Sequence, residues 1–147
     1  MSFEIKCPAK INLFLNITNK RPDGFHELQS LIAKIDLFDE LCVEKSTNFS
    51  LEISGEFAQY IDINDNLFTK ILDYFVKNFG INSNLKITLQ KNIPVGAGLG
   101  GGSSNGAYFI KILDEIFRLK LSKTQMQKIS LNFGSDIAFF FENSPCL

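Results

Sequence analysis

The densest run of residues able to do chemistry is Pro94-Val95-Gly96-Ala97-Gly98-Leu99-Gly100-Gly101-Gly102-Ser103-Ser104-Asn105-Gly106, which holds six of the chain's 10 glycines. Glycine admits positive φ and lets backbone come close to a ligand, so successive N–H groups can converge on one anion. A helix opening near Ser103 would add unpaired N–H groups and the positive end of its dipole. The chemistry implied is the holding of phosphate. A Walker A loop is excluded, because no lysine follows these glycines. A GxGxxG spacing exists at Gly96, Gly98 and Gly101, but the acidic residue expected about 20 positions on, at the end of a second strand, is missing. Asp114 and Glu115 fall inside a helix-like run instead, so a Rossmann fold is disfavoured.

Fewer signals lie outside the loop. Lys10 is a lone cation among Pro8, Ala9 and Ile11, and by its local sequence it is an edge lysine that snorkels to water. Asn12 shares its strand face two residues on. Asp136, after Gly134-Ser135, has the local form of a helix N-cap. His26, the chain's one histidine, follows Asp23-Gly24 as a turn residue does, and its solitude excludes a His-rich metal centre. Cys7, Cys42 and Cys146 are odd in number and far apart, which fits reduced thiols rather than a disulfide framework or a metal site.

The elements that must position these residues are strands first and helices later. Ile11 to Ile17 alternates apolar and polar, Leu28–Leu37 and Leu41–Lys45 suggest two more strands, and Phe49 to Ile53 alternates cleanly. Helical spacing begins at Asp65, with Leu67, Ile71, Phe75 and Phe79 on one face and Gly80 at the C-cap position. A strand follows at Leu85–Leu89. After the glycine loop, Ile110, Leu113 and Phe117 mark a second helix. Ser122-Lys123-Thr124-Gln125 has the form of a capping box opening a short third helix through Met126 and Ile129. That order predicts an α+β sandwich rather than alternating βαβ units.

Composition bounds the rest. The 147 residues suit one domain with a core, and 45% apolar content with 15 phenylalanines excludes disorder. A net charge of −1, with arginine only at Arg21 and Arg118, argues against a nucleic-acid partner. No apolar run long enough to span a membrane is present, and MSFEIKCPAK has no apolar signal segment. A cytoplasmic protein is expected.

PxxxGLGxxSS resembles the nucleotide loop of the GHMP kinases, the superfamily of galactokinase, homoserine kinase and mevalonate kinase. Three further segments narrow the resemblance to one branch, the 4-diphosphocytidyl-2-C-methyl-D-erythritol kinases of the methylerythritol phosphate route to isoprenoids. Pro8-Ala9-Lys10-Ile11-Asn12-Leu13-Phe14-Leu15 resembles their PAKxNLxL opening. Arg21 to Leu28 is similar to their RxDGYHxL segment. Phe133-Gly134-Ser135-Asp136-Ile137 is similar to their LGADV, and Gly98 to Asn105 to their GLGGGSSN.

The resemblance implies the N-terminal GHMP domain, a ribosomal-protein-like α/β sandwich, over residues 1–147, with the C-terminal domain absent from this chain. It implies ATP and Mg²⁺ as cofactors and a small-molecule alcohol as acceptor. Asp136 would take the proton of the attacking hydroxyl, with Lys10 beside it favouring negative charge. Asn12, Phe25 and His26 would bind substrate, Phe25 standing where the family has tyrosine and so lacking a hydroxyl to donate. Asn66, Pro94, Gly96, Ala97, Gly98, Leu99, Gly100, Gly101, Gly102, Ser103 and Ser104 would bind ATP, although Asn66 can equally cap the helix that follows. No metal ligand is assigned, and Mg²⁺ arriving on substrate phosphates needs no carboxylate cage. Two other readings stay open: a GHMP kinase with another alcohol acceptor, and a non-catalytic RNA-binding domain of similar fold. A chain of this extent is expected to be inactive without the other half of the family's cleft.

Overall fold

Alternation in the N-terminal segment builds a long edge strand, β1 (Ser2–Lys20), with Glu4 and Lys6 facing water while Phe3, Ile5 and Cys7 face inward. In the computed structural model residues 2–20 and 26–142 are described, with side chains described there except those of 15–29. Phe25 and the side chain of His26 therefore lie outside the described residues, as does Cys146.

β1 pairs antiparallel with β2 (His26–Lys45), which pairs antiparallel with β4 (Leu85–Gln90), and β4 takes β3 (Ser50–Ser54) in parallel on its far side. The sheet order is β1-β2-β4-β3. β4 covers β2 only from Glu40 to Lys45, so the rest of the β1–β2 ribbon extends past the four-stranded part.

The expectation of separate strands at 28–37 and 41–45 is corrected: β2 is one strand. Asp36 and Leu37 fall in a bulge, where the pairing jumps from Pro8↔Phe38 to Ala9↔Ile35, and the strand continues through it, with Asp39 paired to Cys7 and Glu40 to Lys6. Asp39 thereby stays in the strand and is wholly buried.

Three helices follow the expected order. In α1 (Leu67–Phe79), Phe68, Ile71, Leu72 and Phe75 are buried, and Gly80 closes the helix at φ 64°. α2 (Gly101–Phe117) buries Ala107, Phe109, Ile110 and Leu113. α3 (Lys123–Ser130) opens with the reciprocal capping box of Ser122 and Gln125. α2 starts at Gly101 rather than near Ser103, so the serine pair sits in its first turn.

The core lies between the inner sheet face and the helices. Leu41, Val43, Leu85, Ile87 and Leu89 meet Phe75, Phe109 and Ile110, and Phe68 stacks edge-on to Phe109 at 5.2 Å. A Cβ at Gly106 would stand 2.6 Å from Leu67 Cδ2, so glycine there lets α1 and α2 pack closely. A 3-10 segment, Ser135–Phe141, completes the layer with Ile137, Phe140 and Phe141 buried. Among the described residues no helix is long and apolar enough to cross a membrane.

Candidate active site

The glycine loop is held on an unusual scaffold of left-handed backbone. Gly96, Gly98 and Gly100 have φ of 75°, 73° and 68°, a region that residues with a Cβ rarely adopt. Gly100 is the N-cap of α2 and offers no side chain there, so the first N–H groups of the helix open toward the loop. A recess of about 460 Å³ lies at this point, within the usual size of a small-molecule site. It is lined by Asn66, Pro94 and Gly96 through Ser103, together with Tyr60, Asp62 and Asp65. Ser104 does not line it. Its hydroxyl is fully buried behind the loop and has no hydrogen-bond partner among the described residues.

Lys10 is brought to the same place by the sheet edge. Its N–H donates to the Leu99 carbonyl at 2.8 Å, so the glycine loop covers the open edge of β1. Its side chain then crosses the start of α2: a Cβ at Gly100 would stand 2.8 Å from Lys10 Cγ and 3.1 Å from the Phe140 ring. Lys10 is only 8% exposed, which corrects the local reading of a snorkelling edge lysine. Its Nζ donates to Asn12 Oδ1 at 3.3 Å, as their shared strand face requires.

Asp136 stands in the first turn of the 3-10 segment, exposed, with Gly134 rather than Asp136 in the capping position. The N-cap role suggested by local sequence is therefore not realised. Among the described residues no ion pair within 4.0 Å joins Asp136 to Lys10. The segment that carries Asp136 is pinned at its far end. Lys111 Nζ donates to the Phe140 carbonyl at 3.2 Å, and Lys34 Nζ donates to the carbonyls of Phe140 and Glu142. Glu142 in turn accepts from Lys123 at 2.8 Å and from Gln127 at 2.7 Å on α3, and these bonds hold its carboxyl below the usual range.

Asn66 is the N-cap of α1. Its Oδ1 accepts from the Thr69 N–H at 3.1 Å and its Nδ2 donates to the Ile63 carbonyl at 2.6 Å. The residue is thus at the recess and also engaged in capping.

Sequence reasoning missed the charge beneath the loop. Asp39 of β2 accepts four hydrogen bonds: from Asn92 N (2.7 Å) and Ile93 N (2.8 Å) at Oδ1, and from Lys91 Nζ (2.6 Å) and Asn105 Nδ2 (2.9 Å) at Oδ2. Lys91 also donates to the Ile93 carbonyl at 2.7 Å and is 2% exposed. Cys7 completes the cluster through a hydrogen bond with the Asn105 side chain. Burial pushes its thiol up to about 12, so it remains protonated and is no nucleophile. Nothing local marked the pair: Asp39 stands in an acidic stretch with Asp36 and Glu40, and Lys91 stands between the polar Gln90 and Asn92.

Among the described residues no group of three His, Cys, Asp or Glu could hold a metal ion. Chemically, the arrangement can hold the phosphates of a nucleotide on the α2 N-terminus, with the buried Lys10 alongside and the segment that carries the exposed Asp136 packed on Gly100 through Phe140.

Comparison with known proteins agrees with this geometry. Residues 66–143 match the model for the GHMP kinases N terminal domain. The chain is 43% identical over 137 residues to 4-diphosphocytidyl-2-C-methyl-D-erythritol kinase of Thermosipho melanesiensis, covering 92% of this chain and 47% of that relative. It is 40% identical over 147 residues to the protein of the same name from Thermotoga maritima, covering 99% of this chain and 52% of the other. A crystal structure of 4-(cytidine 5'-diphospho)-2C-methyl-D-erythritol kinase superposes with a TM-score of 0.77 at 33% identity, over 94% of this chain and 48% of that one. The chain spans about half the length of the curated relatives it matches. With the loop, the helix it opens and the segment bearing Asp136 all inside the matched stretch, this chain belongs to the GHMP kinases, as their N-terminal domain.

Proposed function

We propose that the protein carrying this chain transfers the γ-phosphoryl group of ATP to the 2-hydroxyl of 4-diphosphocytidyl-2-C-methyl-D-erythritol. The observation that carries the reading is the meeting of three elements at one point: the open N-terminus of α2, the buried Lys10 side chain laid across Gly100, and the segment headed by Asp136 packed on the same glycine through Phe140. The names and identities of the relatives support the choice of acceptor.

Phosphoryl transfer asks a protein to position groups and to stabilise charge. The N–H groups of the glycine loop and of the first turn of α2 hold the phosphates. Lys10, fixed by Leu99 and Asn12, favours the charge that develops on the transferring group. Asp136, exposed and without a partner among the described residues, accepts the proton of the attacking hydroxyl. Asn12, Phe25 and His26 orient the acceptor, and Asn66 borders the adenine. Mg²⁺ bound with the nucleotide would neutralise phosphate charge, and the Ser103 hydroxyl, which lines the recess, would be placed to hold it, whereas that of Ser104 is buried. The second half of the active-site cleft belongs to the C-terminal domain that the relatives' greater length accommodates.

The test is ADP formation from ATP, Mg²⁺ and 4-diphosphocytidyl-2-C-methyl-D-erythritol, by this chain and by a version extended to the length of its relatives. Asp136→Asn should lower turnover by about 10²–10⁴-fold while ATP affinity stays near wild type. Normal turnover by Asp136→Asn in the extended protein would remove the base assignment. Absence of acceptor-dependent ADP from the extended wild type would sink the proposal itself.

A further inference from the structure

We infer that Asp39 is the positioning residue of the nucleotide loop, tying both ends of that loop to one buried carboxylate. The inference rests on the proposed use of the loop for ATP. The loop leaves β4 at Lys91 and ends where α2 begins. At its entry, the N–H groups of Asn92 and Ile93 donate to Asp39 Oδ1 at 2.7 and 2.8 Å. At its exit, Asn105 of α2 donates to Oδ2 at 2.9 Å. Lys91 joins the two, donating to Oδ2 and to the Ile93 carbonyl, and its ammonium lies against Gly101, where a Cβ would stand 2.8 Å from Nζ. The segment between these anchors, residues 94–100, is exposed or half-buried and lacks helix and strand. Such a span of glycines would sample many shapes unless its ends are fixed.

The chemistry of the cluster favours positioning over mere cohesion. A buried ion pair adds little to stability compared with apolar residues of the same volume, whereas its directed hydrogen bonds select one geometry. Here each of the four bonds starts from the loop's entry or from the helix at its exit, and none serves the core alone. Asp39 touches neither ATP nor acceptor; it acts through the backbone that does.

Two double variants of the full-length protein separate the roles. Asp39→Leu with Lys91→Met removes both charges together and leaves the two loop N–H groups without their acceptor. Asp39→Asn with Lys91→Met restores an oxygen to those groups. Hydrogen exchange of the amides from Asn92 to Gly101 and the kinetics of ADP formation are measured on both. The Leu/Met protein should exchange faster over the whole loop and lose about 10²-fold in kcat/KM for ATP, with KM rising more than kcat falls. The Asn/Met protein should recover most of both. Wild-type exchange and kinetics in Leu/Met would overturn the inference, and so would equal impairment of the two variants. Should Leu/Met not fold, Asn105→Ala, which removes the exit anchor together with the Cys7 contact and leaves the entry anchors in place, must speed exchange at Gly96 to Gly101 or the inference fails. If wild type forms no ADP, the kinase proposal fails, while the exchange comparison still decides whether Asp39 orders the loop.

Discussion

The two sides of the site are held by opposite means. Under the glycine loop, a fully buried carboxylate and ammonium face each other at 2.6 Å, with every bond directed at backbone or at Asn105. Around the Asp136 segment, Lys34 and Lys111 are half-buried, donate to carbonyls at its far end and lie over the rings of Phe139, Tyr108 and Phe141, while Asp136 is exposed at the near end. Low dielectric makes the first arrangement rigid, because each group is costly to leave unpaired. The second keeps its acid solvated and able to exchange a proton. A phosphate cradle must be preformed, since its donors act only when aligned. A proton acceptor must instead be open to the incoming hydroxyl.

The same substitution on each side measures that contrast. Lys91→Met alone leaves Asp39 buried with its charge unmatched and should cost about 3–5 kcal/mol, read as a fall in the urea midpoint. Gly101→Ala probes the packing of the cradle: its Cβ would meet Lys91 Nζ at 2.8 Å and Ile93 Cγ2 at 2.9 Å, and Lys91 is anchored and unable to swing aside. About 1–3 kcal/mol of destabilisation follows, with a higher KM for ATP; a neutral result would mean that the cradle yields. Lys111→Met on the other side should cost about 1 kcal/mol or less. Burial, and then the charge of Lys34, already lower the Lys111 pKa, so removing its charge relieves part of what the lost carbonyl bond costs. A cost as large as that of Lys91→Met would erase the distinction between the two sides.

Local pattern carried much of this structure. α1 is amphipathic, ends at a left-handed glycine and starts at an asparagine cap, each a feature of neighbouring residues. The capping box of α3 is equally local. The glycine loop was visible because its composition is concentrated in a few consecutive positions before a helix, and positive φ at Gly96, Gly98 and Gly100 matches that composition. Asn12 beside Lys10 followed from the period of a strand.

Other features needed the assembled chain. β2 runs through its acidic stretch with Asp39 on the inward face beside Leu41 and Val43, where it meets Lys91, 52 residues away in sequence, and no local pattern encodes that partner. Lys10 is buried because a loop some 90 residues later covers the edge of β1. Its burial is thus a property of the neighbouring backbone rather than of Pro8, Ala9 and Ile11. Asp136 had a cap's local sequence, yet the turn begins at Gly134 and leaves its carboxylate exposed. By itself the sequence determined the helices, the caps of α1 and α3 and the glycine loop, since these depend on residues within a few positions of one another. Only the tertiary structure decided which charges are buried and what they hold, because desolvation and its compensating hydrogen bonds exist only once distant strands and loops have met.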